Sequence, residues 1–553
     1  MVSENLRIFA LGGMDENGKS LYVVEYNNQI YVFDAGLRYP EESLLGIDVI
    51  LPGYQYLISK RDRIKAFFLT HGHDENIGAL PFIIESLGEV DVYGTDFTLL
   101  SLYQTAYRFN KNIKSARFHS IDENQSFLVN GMKIHAFGVT HGVPNACGYA
   151  METDNGLVVY TGEFILDFSE KDPYDTNLAR IMEIAKKPTL VLLAESYNAT
   201  YQGFVAPNNH LSNRLTNIFD EVKGRLFVSI YGQTIFQLQE ILDSAKVAKR
   251  KVFLYTRQVR ETVALLKDEI KGFNVTDNLL TNNIFDKDCV VVVSELGNKV
   301  FEKLDEIAMA NDTDKSLKIT SDDAFVIASP AHAGTELSFA RILDKLYKTN
   351  AQVYNVTKEY VSMHAGSEDL KTMLSIFKPK YYLPVRGYYN KLVENAKLAL
   401  KQGYNHSNIL VYDNGMVATF NDGVLDKTVD TVQADEIMVD GIGIGDVGSV
   451  VINDRRKLQQ DGVMILGVSF SMATRKIVAG PDVQLRGFIL NKSATAFVDK
   501  VSKCFAQTVY DYVQKPGLVD FNELRSLCKE RVGNLVKSEV DREPMILPVI
   551  ISV

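Results

Sequence analysis

The sequence predicts a multidomain α/β protein: a first domain with polar strand ends, an α/β domain inserted into it, and a small α+β module at the end. Three observations carry this. Apolar runs in the amino-terminal part repeatedly stop at a polar residue, as Ile64 to Leu69 does at Thr70-His71. Near Ser212 the texture changes to alternating strands and helices, and near Tyr360 it changes back. A glycine-rich joint, Asp440 to Gly448, then precedes a last stretch ending at Val553.

The elements follow in order. Leu6 to Ala10, Leu21 to Tyr26 and Ile30 to Phe33 read as a β-meander, with Asn27-Asn28 as the turn between its last two strands. The run Ile64 to Leu69 is a strand, and Ile77 to Leu87 has the apolar spacing of an amphipathic helix. Lys133 to Val139, Leu157 to Tyr160 and Thr189 to Leu193 are further strands with polar residues just beyond them, which is where α/β sites are built. Leu226 to Ile230, Val252 to Tyr255 and Phe325 to Ala328 are the strands of the insertion. Tyr360 to Val385 suggests that the chain re-enters the first domain.

A chain of 553 residues exceeds what one core organises and should divide into about three or four domains. With 46% hydrophobic and 23% charged residues, disorder is not expected. No stretch reaches the length of a membrane span and Met1 to Arg7 lacks a signal-peptide layout, so a cytoplasmic protein is expected. Cys147, Cys289, Cys504 and Cys528 have no paired spacing, which argues for core thiols rather than disulfides or a cysteine zinc site. The net charge of −10 repels polyanions overall, so nucleic acid would need a local groove. Lys246, Lys249, Arg250 and Lys251, then Arg257 and Arg260, then Arg455, Arg456 and Lys457 are candidate patches; the plainer reading of each is a solvated face.

Of the nine histidines, His71 and His73 sit in a loop after a strand, where an i, i+2 pair aims both imidazoles at one cation. His141 follows the strand Lys133 to Val139 and Glu163 follows Leu157 to Tyr160. Three imidazoles and a carboxylate from neighbouring strand ends suit one zinc or manganese ion.

The segment Thr70-His71-Gly72-His73-Asp74-Glu75-Asn76-Ile77-Gly78-Ala79-Leu80-Pro81 is similar to the metallo-β-lactamase signature His-x-His-x-Asp-His. Phe33-Asp34-Ala35-Gly36, Lys378-Pro379-Lys380-Tyr381, Pro384-Val385, Gly441 to Gly448 and the tail Arg542 to Val549 extend the likeness along the chain, which resembles the ribonuclease J family and, within it, a degenerate second paralogue. The resemblance implies a metallo-β-lactamase αββα sandwich in two parts (1–211 and 351–430), an inserted β-CASP domain (212–350), a linker (431–448) and a C-terminal domain (449–553).

Carried over residue by residue, the first metal site of that family maps to His71, His73, His141 and a bridging acid at Glu163, where aspartate is usual. The second site is altered throughout: Glu75 replaces aspartate, Asn76 replaces histidine, and Arg386 replaces the histidine of a Pro-Val-His-Gly motif. A guanidinium has no lone pair to donate and repels a dication, so at most one ion is expected, or none. The resemblance assigns catalytic roles to Glu195 and His364, and phosphate binding to Tyr360, Val361, Ser362, Met363 and His364, where the family has His-x-Ser-Gly-His. The competing reading makes Tyr360 and Met363 core side chains.

The implied function is RNA processing in rRNA maturation and mRNA turnover, 5′-to-3′ exonucleolytic with endonucleolytic cleavage as a second mode, the activity weak or dependent on a partner. A homo-oligomer or a complex with an active paralogue is implied. The alternatives are a nuclease running on one metal and an inactive RNA-binding or scaffolding subunit. With Asp74, Glu75 and Glu163 expected together, Arg386 is expected to stand in for the missing cation by pairing with Glu75 or Glu163, or else to hold an RNA phosphate.

Overall fold

The computed structural model describes residues 5–553 apart from 42–43, 171, 271–272, 274, 277, 310–316, 333, 442, 446–448 and 488–493, so part of the expected glycine joint lies outside the described residues. The chain forms two compact units, Met1–Tyr39 with Val49–Ile437, and Pro40–Asp48 with Met438–Val553.

In the first unit two sheets face each other. One runs in the order Val424–Leu425, Met416–Asn421, Asn5–Gly12, Leu21–Tyr26, Gln29–Phe33, Ile64–Phe68, Asp91–Gly94, Arg117–Ser120. The other runs Tyr381–Val385, Thr189–Glu195, Gly156–Tyr160, Cys147–Thr153, Met132–Gly138, Ser126–Val129. Alternate residues of both, among them Ile8, Tyr22, Phe33, Phe68, Ile134, Tyr160 and Leu193, form one shared core. The intervening residues Phe9, Val23, Val32 and Phe67 are equally buried, so the first sheet is covered on both faces. The outer face of the second sheet packs Phe137, Val159 and Leu192 against Ile181, Leu370, Leu374 and Leu398 of flanking helices. This is the αββα sandwich. The Asn27-Asn28 turn has φ of 47° and 66°, the left-handed pair that a two-residue hairpin of this twist requires.

The expected helix 77–87 is broken into Asp74–Ile77 and Leu80–Leu87. Pro81 near the start of the second piece has no N–H to continue a helix from upstream.

The insertion is a fully parallel sheet in the order Val252–Leu254, Val290–Glu295, Leu226–Tyr231, Ala324–Ile327, Gln352–Asn355. Both its faces are buried, consistent with its continuous valine and isoleucine runs. Its fifth strand lies beyond residue 350, so the inserted sheet runs past the expected boundary.

The second unit contains the sheet Ile477–Arg486, Val463–Phe470, Met545–Ser552. Met464, Leu466, Val468 and Phe470 pack against Val501, Phe505, Cys528 and Val532 of the helices Ala494–Val513 and Phe521–Val540. On the opposite face Leu547, Val549 and Ile551 are 40%, 47% and 52% exposed. All four cysteines are free, three of them buried. Among the described residues no helix is long and apolar enough to cross a membrane.

Candidate metal centre

The centre is assembled from the carboxyl ends of parallel strands. Gln29–Phe33 and Ile64–Phe68 run parallel in one sheet and deliver Asp34 and the His71 loop. Gly156–Tyr160, Thr189–Glu195 and Tyr381–Val385 run parallel in the other and deliver Glu163, Glu195 and Arg386. Asp34 (φ 59°), Gly162 (φ 64°) and Arg386 (φ 57°) turn left-handed just past their strands. Backbone hydrogen bonds hold the turn at Arg386, its N–H to Gly13 O at 2.8 Å and its carbonyl to Ser196 N–H at 3.0 Å.

His71, His73, His141 and Glu163 converge, with one ligand atom of each within 4.8 Å of the others. His71 Nε2 lies 3.1 Å from His73 Nδ1, and His141 Nε2 lies 3.2 Å from that same atom. Tetrahedral ligands about 2.1 Å from one ion would stand about 3.4 Å apart. The outward nitrogens fix the tautomers. His73 Nε2–H donates to Gln233 O at 3.1 Å and His141 Nδ1–H donates to Met363 O at 2.8 Å, because a carbonyl can only accept. His71 Nδ1 meets the Thr70 hydroxyl at 2.9 Å, and that hydroxyl has its single proton to give to Asp34, 2.9 Å and 3.0 Å away. All three inward nitrogens therefore present lone pairs to one point. Burial first, then the neighbouring imidazoles, hold His71 and His141 well below the usual histidine range, so both are neutral, as ligation requires.

Asp34 is wholly buried and accepts from Thr70 N–H, Asn76 Nδ2 and Tyr160 OH as well. Burial pushes its carboxyl up to about 7 against the pull of those bonds. Sequence reasoning gave it no role; a polar residue directly after an apolar strand was the available signal.

Glu163 is shared. Arg386 Nε donates to its Oε1 at 2.7 Å, while Oε2 lies 3.8 Å from His141 Nε2 and 3.5 Å from His364 Nδ1. Burial would raise the Glu163 carboxyl, but Arg386 and His364 hold it well below the usual range. Burial likewise opposes the charge on Arg386, and Glu163 and Glu75 outweigh it. The hydrogen-bonded partner of Arg386 is thus Glu163, with Glu75 acting through its charge. Asn76, 0% exposed, bonds Asp34 through Nδ2 and leaves Oδ1 buried without a partner.

Asp74 does not join these carboxylates. It is buried against Tyr39 OH, Thr105 Oγ1 and Arg108 Nη2, which corrects the expectation that it would face Glu163. The sequence held no signal for that pairing, since Tyr39 and Arg108 lie more than a strand away.

Glu195 uses both oxygens, Oε1 accepting from Phe164 N–H and Ala365 N–H and Oε2 from His364 Nδ1 at 2.8 Å. Burial lowers His364, but the Glu195 carboxylate and this hydrogen bond prevail and its pKa is raised. The His364 ring also lies over Tyr197 at 4.2 Å, a neighbour that sequence reasoning missed.

In the segment 360–364, Met363 departs from the expected phosphate-binding role. Its side chain is 5% exposed, packed with Ile165, Tyr174, Val205 and Phe236, and its sulfur accepts from Asn209 Nδ2. The Val361 carbonyl accepts from Gln237 Nε2 at 3.2 Å. Tyr360, Ser362 and His364 are part-exposed, with the Arg214 guanidinium over the Tyr360 ring at 3.9 Å.

The basic runs are largely used by the fold. Arg250 caps the carbonyls of Val222 and Gly224, Arg260 those of Leu254 and Tyr255, and Arg455 pairs with Asp440 and Leu45 O. Arg257 pairs with Glu261 at the surface, and Lys246, Lys249, Arg456 and Lys457 are exposed side chains.

The ribonuclease J C-terminal domain profile matches residues 450–553, and that of the Zn-dependent metallo-hydrolase RNA specificity domain matches 347–410. Ribonuclease J 2 of Staphylococcus epidermidis is 31% identical over 556 residues, covering 99% of this chain and 98% of that protein. The proteins of the same name from Staphylococcus saprophyticus and Staphylococcus aureus are each 30% identical with the same coverage. A protein of unknown function from Enterococcus faecalis shares the fold, with a TM-score of 0.51 at 15% identity over 75% of this chain and all of that one. Similarity sustained from end to end answers what the geometry of the centre raises: the chain belongs to the ribonuclease J family.

Proposed function

We propose that this chain is an RNA-processing, metal-dependent phosphodiester hydrolase homologue with a single-cation centre, its own 5′-to-3′ exonuclease activity weak or dependent on a partner. The observation that carries this is the convergence of three imidazole lone pairs, each fixed by an outward hydrogen bond, on one point beside a carboxylate whose far oxygen is bound by arginine. Lone pairs so arranged repel one another unless a cation lies between them. His71, His73, His141 and Glu163 would hold one zinc or manganese ion, and Arg386 leaves no such place for a second.

A bound divalent ion supplies Lewis-acid polarisation of a phosphoryl oxygen. His364, carrying a proton and steadied by Glu195, offers Nε2–H to a phosphate or leaving oxygen. Glu195, with both oxygens engaged, orients His364 rather than acting on RNA directly. Tyr360 and Ser362 supply the exposed part of the phosphate-binding segment, and the inserted parallel sheet serves as the β-CASP domain.

The second reading, an inactive RNA-binding or scaffolding subunit of a complex with an active paralogue, is favoured by the Arg386 to Glu163 pair, which ties up the bridging carboxylate. Elemental analysis combined with turnover of a 5′-monophosphorylated RNA tests both. One metal per chain and slow cleavage, both lost in the His71→Ala, His73→Ala double variant, support the hydrolase; metal-free protein that binds RNA without cleaving it supports the subunit. Two ions per chain, both lost on mutating these ligands, would overturn the single-cation centre.

The exposed Leu547, Val549 and Ile551 give the C-terminal sheet an apolar face suited to a second subunit, the same chain or a paralogue, in a cytoplasmic RNA-processing complex. Deleting 449–553 should shift the protein to a smaller species in light scattering; an unchanged mass would remove this role.

A further inference from the structure

The ligand His73 is oriented by a residue of the inserted segment. Its Nε2–H donates to the carbonyl of Gln233, which stands just before the helix Ile235–Val247. That helix meets the first domain along one stripe at i, i+3, i+4 and i+7 from Gln233, the spacing of a single helical face. Phe236 N–H donates to Gly142 O at 3.0 Å, beside His141, and the Phe236 ring packs with Ile165, Tyr174, Val205 and Met363. Gln237 Nε2 donates to Val361 O.

The stripe ends at Glu240, in a cluster apart from the centre. His210 donates from Nδ1 to Glu240 Oε1 at 3.3 Å and from Nε2 to Asp167 Oδ2 at 3.0 Å, so one imidazolium joins two carboxylates. Glu240 also accepts from Leu211 N–H and Ser212 Oγ, and Asp167 from Ser169 N–H and Oγ. Asp167, Glu170 and His210 have the spacing of a cation site. The Asp167 and Glu240 oxygens are already met by protein donors, and the imidazolium supplies the positive charge.

We propose that His210 and Glu240 are positioning residues for the metal centre: the Asp167–His210–Glu240 clamp seats the helix so that Gln233 O holds His73 in the tautomer whose Nδ1 faces the cation. The proposal rests on the reading that His71, His73, His141 and Glu163 bind an ion. Partners that orient a metal-ligating histidine are commonly worth 10–100-fold in metal affinity, roughly the range expected here through one intervening helix. It also makes the centre responsive to how the inserted domain sits, since loosening the helix releases His73.

The test is calorimetric titration of the full chain with Mn²⁺ and, separately, Zn²⁺, below the melting temperature of every variant. His210→Gln and Glu240→Gln should each weaken binding on the order of tenfold or more with the stoichiometry unchanged. Combining them should add little, because either breaks the same clamp. Leu242→Val, on the opposite face of the same helix and packed in the core of the inserted sheet, lowers stability without touching the clamp and should bind metal as the wild type does. Wild-type affinity in both clamp variants, or equal weakening in Leu242→Val, overturns the proposal. So does loss of one of two bound ions in the clamp variants, which would make the cluster a cation site itself. Wild-type protein that binds no metal, or whose binding survives His73→Ala, instead removes the underlying reading of the centre.

Discussion

On one side of Glu163 stand three imidazoles with their lone pairs turned inward; on the other stands a guanidinium that brings its charge with it. The first side has a donor set with the spacing of a single-cation site. The second side is neutralised by the chain itself, through an arginine held in a left-handed turn at the end of a strand. On the proposed single-cation reading, Glu163 joins one ion to a guanidinium, so that charge balance is kept where the Lewis acidity of a second ion would be lost. A guanidinium can bind a phosphate, but it cannot lower the pKa of a ligated water.

The largest expected effect is on rate. Turnover of 5′-monophosphorylated RNA should lie about a thousandfold or more below that of a homologue with both ions, since stabilisation by the second cation is worth several kcal/mol, roughly 4 or more. Comparable turnover, abolished by His364→Ala, would mean that the guanidinium serves as well as a metal and that the two sides are equivalent.

Next comes stability. Arg386→Ala leaves the Glu163 carboxylate, 2% exposed, without its partner and should cost about 3 kcal/mol, seen as a lower denaturation midpoint in metal-free protein. RNA affinity should change little. If stability is untouched and RNA binding becomes weaker and less salt-sensitive, Arg386 is a phosphate clamp rather than a stand-in for the cation.

The legibility of the two sides also differs. His71, His73, His141 and Glu163 could be read from the sequence because each lies within a few residues of a strand end, and strand ends fix where side chains go. The groups that orient them could not. Gln233 and Met363 act through backbone carbonyls, which every residue possesses, so residue type carries no signal. Asp74 was misplaced because its partners come from a distant loop and helix. The parallel strands of the insertion were legible as apolar runs, but Gln352–Asn355, half-exposed at the sheet edge, lacks that pattern and was assigned to the neighbouring domain. The basic runs read as solvated surface charge, although Arg250 and Arg260 donate to backbone carbonyls.

A third experiment supplies the two histidines that the proposed single-cation reading lacks. Arg386→His combined with Asn76→His should raise metal content towards two per chain and recover activity only in part, about tenfold, because Glu75 and Glu163 remain one methylene longer than aspartate and shift the ions on the order of 1 Å. No gain in metal content would place the defect in the backbone turn at 386 rather than in the donor atoms.

The smallest effect separates the centre from the clamp that steadies it. His210 faces Asp167, Glu240 and Glu170; the hydrogen bonds to Asp167 and Glu240 raise it to about 10. Its folded pKa therefore lies above the unfolded value of about 6.5. Below that value both states carry the proton and the clamp contributes fully; as pH rises through the folded pKa the contribution is lost. Asp167 sets the acid limit: hydrogen bonding to His210 and Ser169 overcomes burial and depresses it to about 2, so its share is present above the unfolded value of about 3.9 and fades as pH falls through the folded one. The melting temperature of wild type should thus exceed that of His210→Gln near pH 6, and the gap should close as pH approaches about 10. Partial exposure and salt keep the gap small, so it should be measured at low ionic strength. A gap that stays constant across this range would mean that His210 acts by packing against Phe236, 5.7 Å between ring centres, and not through its charge.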